Sequence, residues 1–483
     1  MAEEKQKPEP TPPEPVDDLV ATSHTLVASG RELRYTARAG RVVLRREIHD
    51  DDKAFSGHLP KAEVFLTAYT LDDADPRGRP VTFAFNGGPG SSSVWLHLGL
   101  LGPRRVLAGD AGAPVPPPYQ LADNGQSLLA HSDLVFIDPV STGYSRALTG
   151  EKPADYHGYT GDVESVAEII RLWTSRSGRW LSPKYLCGES YGTFRAVAVA
   201  KHLHERFGMY LNGLILISSI LNIGEAEFDD QNDVAYPLYL PTYAAIANYH
   251  GRHGDRPLAE VLAEAEAYAA RDYPWVLSRG TRLSTVERTE AAARLAQLTG
   301  LSADYLDRVE LRVEHIRFFT ELLRSRRRTV GRLDGRFLGW ETDYGVERWR
   351  DDPAMQAILG PYTAAINHYL RAELRYSSDL PYEALSDVMP WSFKEFEGRH
   401  ASVADLLGRV LRGNPHLRVY VACGYYDGAT PYFAAEHTFA HLRIPEELHG
   451  NIEFHYFEAG HMMYVHEPSR LAQSTQLGDF VSR

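Results

Sequence analysis

Hydrophobic and polar positions alternate along the first part of the chain, and this pattern changes beyond residue 80. Between His24 and Thr70 apolar and polar residues take turns, with glycines between the runs. Such alternation is typical of antiparallel strands with one buried face. The pattern predicts an antiparallel opening of two or three strands.

Short, continuously apolar segments replace the alternation after this opening. They are rich in Val, Ile, Tyr and Phe, as strands covered on both faces are, and they span 81–85, 134–138, 184–188, 214–218, 418–423 and 453–457. Between two of them, apolar residues recur at helical spacing on one face: Val163, Val166, Ala167, Ile170 and Trp173. Alternating strands and helices predict a mainly parallel central sheet with helices on both faces.

The segment between residues 222 and 411 has a different pattern, with long helical stretches and no clear strands. Because it lies between two sheet strands, it predicts an inserted helical cap. The core then comprises residues 19–221 and 412–483. The charged, proline-rich residues 1–18 contain no apolar stretch of signal-peptide type and predict a disordered tail.

Composition and charge limit the partners of the chain. The 51 Lys and Arg residues against 64 Asp and Glu residues give a net charge of −13, which argues against binding to nucleic acid or anionic membranes. No apolar run approaches the roughly 18 residues that span a bilayer. We therefore expect a cytoplasmic protein; a removed signal peptide with a periplasmic or secreted location is the alternative. The oligomeric state stays open, a homodimer included.

The chain has two cysteines, Cys187 and Cys423. Two cysteines do not form a disulfide framework, which fits a reducing compartment or a bacterial protein. Both lie in apolar stretches, and we interpret them as buried structural thiols rather than a disulfide pair or reactive groups.

Residues 188–192 read Gly-Glu-Ser-Tyr-Gly, between a predicted strand and a predicted helix. A sharp strand-to-helix turn with glycine on each side raises a serine hydroxyl above the sheet, where it can act as a nucleophile. Ser190 is therefore the candidate nucleophile. The alternative is that Ser190 is an ordinary helix N-cap.

Residues 86–93 read Asn-Gly-Gly-Pro-Gly-Ser-Ser-Ser and directly follow the strand 81–85. A glycine pair in this position can supply a backbone N–H to the oxyanion that develops during acyl transfer. The alternatives are a simple glycine-rich turn or a phosphate-binding loop, although no Lys-Ser or Lys-Thr pair follows.

Asp427 and His461 follow the last two predicted strands, in the order Ser, Asp, His. The carboxyl ends of strands in α/β sheets are where active sites assemble. Of the 20 histidines, His461 stands out because it lies in Ala-Gly-His-Met-Met, residues 459–463. For Asp427 the alternative is a turn-forming role in Asp427-Gly428.

Together these motifs resemble the serine carboxypeptidases, peptidase family S10, which have the α/β-hydrolase fold. Residues 86–93 match the family's Asn-Gly-Gly-Pro-Gly-x-Ser-Ser, residues 188–191 its Gly-Glu-Ser-Tyr, and residues 460–462 its Gly-His-Met. Residues 138–145 are similar to a fourth family segment, shifted by one residue. The resemblance extends over about residues 81–468, is weakest in the cap, and suggests a bacterial-type member.

The resemblance implies a role for each matched residue. Ser190 would be the nucleophile, His461 the base and Asp427 the acid that orients the base. The N–H groups of Gly88 and Tyr191 would form the oxyanion hole. The carboxylate at the substrate's C-terminus would be held by side chains at the glycine loop and before the nucleophile; the substrate-binding residues are Asn86, Gly87, Glu189 and Met462.

One position departs from the family pattern. A second Glu normally stands two residues before a Gly-Pro, and here that position is Leu100. A carboxypeptidase acting on peptides, with weaker carboxylate selection or another donor such as His97, is the main hypothesis. An esterase or acyltransferase acting on a small ester is the second, and a non-catalytic binding module the third. The sequence predicts neither a cofactor nor a metal.

Overall fold

The computed structural model describes residues 14–483, and a 10-stranded sheet forms its centre. The strands are, in chain order, β1 Asp18–Ala28, β2 Arg31–His49, β3 Phe55–Leu71, β4 Val81–Phe85, β5 Asp133–Ile137, β6 Arg146–Ala147, β7 Lys184–Glu189, β8 Gly213–Ile217, β9 Arg418–Gly424 and β10 Ile452–Phe457. Their order across the sheet is β1-β2-β3-β5-β4-β7-β8-β9-β10, and the short β6 pairs with β3.

The sheet is mainly parallel, as the sequence predicts. Strands β1, β2, β3 and β5 are antiparallel neighbours, and every neighbouring pair from β5 to β10 is parallel. The predicted strands agree with the observed ones to within one residue at each end. Strand β5 begins at Asp133, whose carboxylate accepts a hydrogen bond from Leu71 N at 3.0 Å and so joins the strand to β3.

The helices cover both faces of the sheet or build the insertion. They are α1 Tyr159–Arg176, α2 Tyr191–Phe207, α3 Ala235–Tyr249, α4 Leu258–Arg279, α5 Thr285–Thr299, α6 Ala303–Arg308, α7 His315–Glu321, α8 Pro353–Ala372, α9 Ala404–Gly413, α10 Tyr432–Ala440, α11 Glu446–His449 and α12 Glu467–Ser482. In α1 the predicted apolar face is buried, with Trp173 packed at its edge.

Successive side chains of the parallel strands enter two different apolar cores. In β7, Leu186 belongs to the core formed with α1 and α2, and Cys187 to the core formed with α8 and α12. Cys187 and Cys423 are both buried free thiols, as predicted. Among the helices of residues 14–483, none is long and apolar enough to cross a membrane.

The insertion lies between β8 and β9 and is mostly helical. It also contains a two-residue ribbon, Thr329–Val330 paired with Leu338–Gly339, which the sequence pattern does not reveal because each strand is so short. Helix α9 packs against α2 of the core, and the predicted cap boundary at residue 411 falls inside α9.

The last part of the insertion pairs with the core through isolated β-bridges. We call its residues 383–392 the return segment. Leu385 pairs with Ser91, Glu383 with Gly143, and Ser392 with Gly158. The return segment therefore contacts the glycine loop through its main chain.

The predicted tail, 1–18, falls mainly on residues 1–13, outside the described residues. Its last residues have defined partners. The Asp17 carboxylate accepts a hydrogen bond from Val43 N at 2.9 Å, and Asp18 begins β1 opposite Arg41. The ordered chain therefore starts before residue 19, because backbone donors of β2 and the side chain of Asp17 complement each other.

A buried ion pair joins α1 to α2 beneath the glycine loop. Arg195 Nε donates to both carboxylate oxygens of Asp162, at 2.9 and 2.8 Å, and Arg195 Nη1 donates to the backbone carbonyl of Asn86. The two side chains are 1% and 2% exposed. One guanidinium thus holds two helices and the start of the glycine loop in place.

We predict that Asp162→Asn lowers the free energy of unfolding by about 3–5 kcal/mol, because it leaves the buried Arg195 charge uncompensated. Urea denaturation followed by circular dichroism measures the change. Asp73→Asn is the matched control, since the Arg34–Asp73 pair is exposed and exposed pairs contribute about 0–1 kcal/mol. Equal effects of the two substitutions would contradict the prediction.

Candidate active site

Ser190 occupies a strained turn between β7 and α2. Its backbone has φ 61° and ψ −131°, a conformation that costs a non-glycine residue energy and is often found at functional sites. A Cβ added to Gly188 would lie 2.1 Å from the Gly192 carbonyl oxygen, so the turn closes only with glycine there. The Ser190 side chain makes no capping hydrogen bond, which argues against the N-cap alternative.

Asp427 and His461 are hydrogen-bonded to each other at the ends of β9 and β10. His461 Nδ1 lies 2.8 Å from Asp427 Oδ2, and the Asp427 side chain is 0% exposed. The same carboxylate also accepts hydrogen bonds from Ala429 N, Thr430 N and Thr430 Oγ1, at 2.8, 3.0 and 2.7 Å. The Asp427 carboxylate therefore closes its own turn and also contacts the imidazole, an arrangement compatible with both sequence interpretations.

His461 is fixed through its backbone as well. Its N–H donates to the Leu333 carbonyl at 2.6 Å, and its carbonyl accepts from Ser218 Oγ at 2.6 Å. Burial alone would lower the pKa of His461, but the charge and hydrogen bond of Asp427 outweigh burial and raise it. The hydrogen bonds of the described residues do not include one between Ser190 Oγ and the His461 ring; catalytic hydrogen bonds are often long without substrate.

The glycine loop approaches the first turn of α2 closely. A Cβ added to Gly87 would lie 2.5 Å from Tyr191 N, and Gly88 has φ +98°, which favours glycine. The first-turn N–H of Tyr191 has no acceptor within its own helix. The loop thus brings Gly87 against the Tyr191 N–H, and Gly88, the candidate oxyanion donor, is the next residue of the same loop.

Glu189, the residue before Ser190, is buried between two hydrogen-bond donors. Asn86 Nδ2 donates to Oε1 at 2.8 Å, and the Tyr464 hydroxyl donates to Oε2 at 2.7 Å. Burial raises the pKa of Glu189 to about 7. The side chain is thus a carboxyl group whose protonation changes near neutral pH, next to the candidate nucleophile.

Tyr464 is a site residue that sequence reasoning missed. It is buried and lies three residues after His461 in a helical turn, Met463–Val465. Its position beside a predicted site residue is the only signal in the sequence, because a tyrosine in an apolar stretch usually belongs to the core.

His97, the alternative donor to a substrate carboxylate, is already engaged elsewhere. His97 Nε2 is hydrogen-bonded to the Tyr69 hydroxyl at 2.6 Å, and the ring stacks on Phe136. Burial lowers the pKa of His97 to about 3. Leu100 is buried in the same apolar core, so it offers Glu189 no polar partner.

The sequence motifs contain two further residues with defined surroundings. Met462 lines a small cavity, and Asp138 supports the glycine loop. Met462 is buried and lines a small cavity with Leu333, Phe337 and Val465. Asp138 accepts hydrogen bonds from Ser93 N and Ser93 Oγ at 2.8 and 2.7 Å, which holds the end of the glycine loop. Burial raises the pKa of Asp138 to about 6.

One group of side chains of metal-ligand type lies outside this site. In the described part of the chain, Glu227, Asp229 and His400 place ligand atoms within 4.8 Å of one another. All three are exposed, and His400 Nδ1 already contacts Glu227 Oε2 at 2.7 Å. Exposed groupings of this kind are ordinary solvated ion pairs.

Comparison with protein families gives one match that bears on this site. Residues 52–268 match the model of the serine carboxypeptidase family. The matched segment includes the glycine loop and the turn at Ser190, and Asp427 and His461 lie beyond it. Residues 52–268 of this chain are therefore similar to the serine carboxypeptidase family.

Two curated relatives carry the same family name. The chain is 26% identical over 190 residues to serine carboxypeptidase-like 22 of Arabidopsis thaliana, which covers 37% of this chain and 38% of the relative. It is 26% identical over 192 residues to serine carboxypeptidase-like 27 of the same organism, covering 37% and 36%. The match thus spans less than two-fifths of either relative's length.

The fold is similar to that of the prohormone-processing carboxypeptidase Kex1(Δ)p of Saccharomyces cerevisiae. The TM-score is 0.53 at 15% identity, over 92% of this chain and 91% of that one. This similarity, together with the mainly parallel sheet, confirms the predicted α/β-hydrolase fold.

We predict that a fluorophosphonate probe labels Ser190, because the strained turn presents its hydroxyl at the end of the sheet. Mass spectrometry of the labelled protein locates the adduct, and Ser190→Ala should abolish labelling. Ser219→Ala is the matched control, since Ser219 is also buried near the strand ends and its hydroxyl has no hydrogen-bond partner. Labelling that persists in Ser190→Ala would refute the assignment.

Proposed function

We propose that the protein is a serine carboxypeptidase that releases C-terminal residues from peptides through an acyl-enzyme on Ser190. The observation that carries the proposal is Glu189, a buried carboxyl group directly before the candidate nucleophile and held by Asn86 and Tyr464. A carboxyl group that can be protonated near pH 7 is a suitable donor to the free carboxylate of a peptide.

The proposed reaction begins with a neutral His461. The imidazole takes the proton of Ser190 Oγ as this oxygen attacks the carbonyl carbon of the last peptide bond. The N–H groups of Gly88 and Tyr191 stabilise the oxyanion. His461 then gives its proton to the leaving amine as the C–N bond breaks. In the second half of the reaction, His461 takes a proton from water as the water oxygen attacks the acyl carbon. The proton returns to Ser190 Oγ as the acyl–oxygen bond breaks.

Recognition of the substrate's carboxylate depends on the protonation of Glu189. A protonated Glu189 donates a hydrogen bond to the carboxylate, and Asn86 lies beside it. An ionised Glu189 repels the carboxylate. With Leu100 in the place of a second acid, one proton on Glu189 decides the outcome.

The esterase or acyltransferase alternative keeps the same triad and differs in the substrate. It is favoured by Leu100, which removes one acidic donor from the carboxylate site. It does not explain why Asn86 and Tyr464 hold a buried Glu189 before the candidate nucleophile, and we therefore rank it second. A binding module needs a defective triad, whereas Asp427 and His461 are in hydrogen-bonding contact.

The raised pKa of Glu189 also bears on location. An ordinary carboxyl group would be ionised at cytoplasmic pH, which would make a carboxypeptidase of this design inactive there. With a Glu189 pKa of about 7, a large fraction of the protein molecules carries a protonated Glu189 at neutral pH. The cytoplasmic location stays a prediction, compatible with this chemistry.

We predict that Asp427→Asn lowers kcat by about 10⁴-fold, because His461 loses its orientation and its correct tautomer. Steady-state assays on a blocked dipeptide with a free C-terminus measure the loss. Asp138→Asn is the matched control: Asp138 is equally buried, and an amide oxygen can still accept from Ser93. A severe loss in Asp138→Asn with a near-normal Asp427→Asn would reverse the assignment of the acid.

The pH dependence should distinguish peptides with free and amidated C-termini. For a free C-terminus, kcat/KM falls at low pH as His461 gains a proton and at high pH as Glu189 loses its proton, with a narrow maximum between the two limbs. His461 and Glu189 interact, so these limbs belong to the pair. Amidated peptides and esters lack the carboxylate and should lose little at high pH.

Tyr464→Phe tests the origin of the alkaline limb. The Tyr464 hydroxyl stabilises the ionised form of Glu189, so its removal raises the pKa of Glu189 and moves the alkaline limb to higher pH. Tyr144→Phe is the control, because the buried Tyr144 hydroxyl has no partner. Identical pH profiles for free and amidated peptides would favour the esterase or acyltransferase alternative.

A further inference from the structure

The segment that contains Arg332 runs between the loops of two candidate triad residues. The Arg332 carbonyl accepts a hydrogen bond from Gly428 N at 2.9 Å, and the next carbonyl, of Leu333, accepts from His461 N at 2.6 Å. Gly428 directly follows Asp427. This insertion segment therefore brings the Arg332 side chain to the edge of the candidate active site.

The positive charge of Arg332 affects the pKa values of groups in both the insertion and the core. In the insertion, burial and then the charge of Arg332 lower the pKa of His315 to about 3. In the core, the Arg332 charge opposes the rise in the pKa of His461. It also opposes the rise that burial causes in the pKa of Tyr239 on α3. The positive charge thus lies between His461, α3 and α7.

Arg332 has no charged partner of its own within residues 14–483. Its side chain is half-buried, no carboxylate oxygen lies within 4.0 Å of it, and it donates no side-chain hydrogen bond to a described residue. By contrast, Arg336, four residues later, is paired with Asp334 at 2.6 Å. A half-buried arginine at a cleft without a partner is unusual for a purely structural residue.

The nearby carboxylates are already occupied by backbone donors. Asp352 accepts from the N–H groups of Arg332, Leu333 and Ala354 at 3.2, 2.9 and 3.0 Å. Asp427 accepts from its own turn and from His461. The charge of Arg332 opposes the rise that burial causes in the pKa of Asp352. Within residues 14–483, however, the guanidinium forms no ion pair within 4.0 Å, so its N–H donors stay available to a ligand.

We propose that Arg332 is a substrate-binding residue that holds a carboxylate of the substrate at the cleft. This inference rests on the proposed function and extends it. A guanidinium presents two parallel N–H donors that match a carboxylate, and it stays charged at every pH at which the protein is folded. The carboxylate has two sources, the substrate's C-terminus or an acidic side chain next to the scissile bond.

The experiment measures kcat/KM of the full-length protein on four substrates. These are a blocked dipeptide of neutral residues with a free C-terminus, its C-terminal amide, a dipeptide of the same design with Glu as one residue, and a neutral blocked amino-acid ester. The variants are Arg332→Ala, Arg332→Lys and Arg332→Glu. Arg317→Ala is the matched control, because Arg317 belongs to the insertion but is already paired with Glu347 at 2.7 Å.

We expect Arg332→Ala to lower kcat/KM roughly 10- to 100-fold for the carboxylate that the residue binds. If that carboxylate is the C-terminus, both dipeptides with a free C-terminus lose activity and the amide does not. If it is a side chain, only the Glu-containing dipeptide loses activity. Arg332→Lys should restore part of the loss, and Arg332→Glu should deepen it, because a carboxylate at this position repels the substrate's carboxylate. The ester and Arg317→Ala should be unaffected.

Two results would overturn the inference. The first is an Arg332→Ala variant with unchanged kcat/KM on all four substrates. The second is an equal fall of kcat/KM on all four, as damage to the loops of Asp427 and His461 would cause. Failure of the proposed function is a different result: the wild-type protein would turn over the ester but neither dipeptide, or none of the substrates.

Discussion

The guanidinium of Arg195 is the contact on which the geometry of the candidate site depends. It lies just over one turn after Ser190 on α2, and it reaches both Asp162 on α1 and the backbone carbonyl of Asn86. A buried charge of this kind is costly unless its partners are fixed. Because they are, the glycine loop and the first turn of α2 keep a constant separation, and the oxyanion donors come from both.

Above this support, the chemistry of the site depends on two titrating groups with opposite requirements. In the proposed reaction, His461 has to be neutral to take a proton, and Glu189 has to be protonated to receive a carboxylate. Asp427 raises the pKa of His461 and burial raises that of Glu189. Each group also lowers the cost of the other's charged form, so the pair favours the inactive arrangement of imidazolium and carboxylate as well. Substrate carboxylate opposes that arrangement, because it binds the protonated Glu189.

The sequence predicts those parts of the molecule that local patterns determine. The buried strands, the face of α1 and the turn at Ser190 each depend on a few neighbouring residues, and their positions agree with the structure. Tyr464 and Arg332 could not be found this way. Their roles arise from contacts with residues far away in the chain, Glu189 for the first and the loops after β9 and β10 for the second. The partner of Asp17 on β2 could not be found this way either, because Val43 lies 26 residues later in the chain.

The main-chain bridges between the insertion and the core have a consequence for how substrate enters. Leu385, Glu383 and Ser392 pair with Ser91, Gly143 and Gly158, which lie beside the glycine loop or at the start of α1. Swinging the insertion away as a rigid lid would break backbone hydrogen bonds on that side and shift the oxyanion loop with it. The return segment is therefore fixed relative to the glycine loop. Under the proposed function, substrate therefore has to reach Ser190 without displacement of this segment.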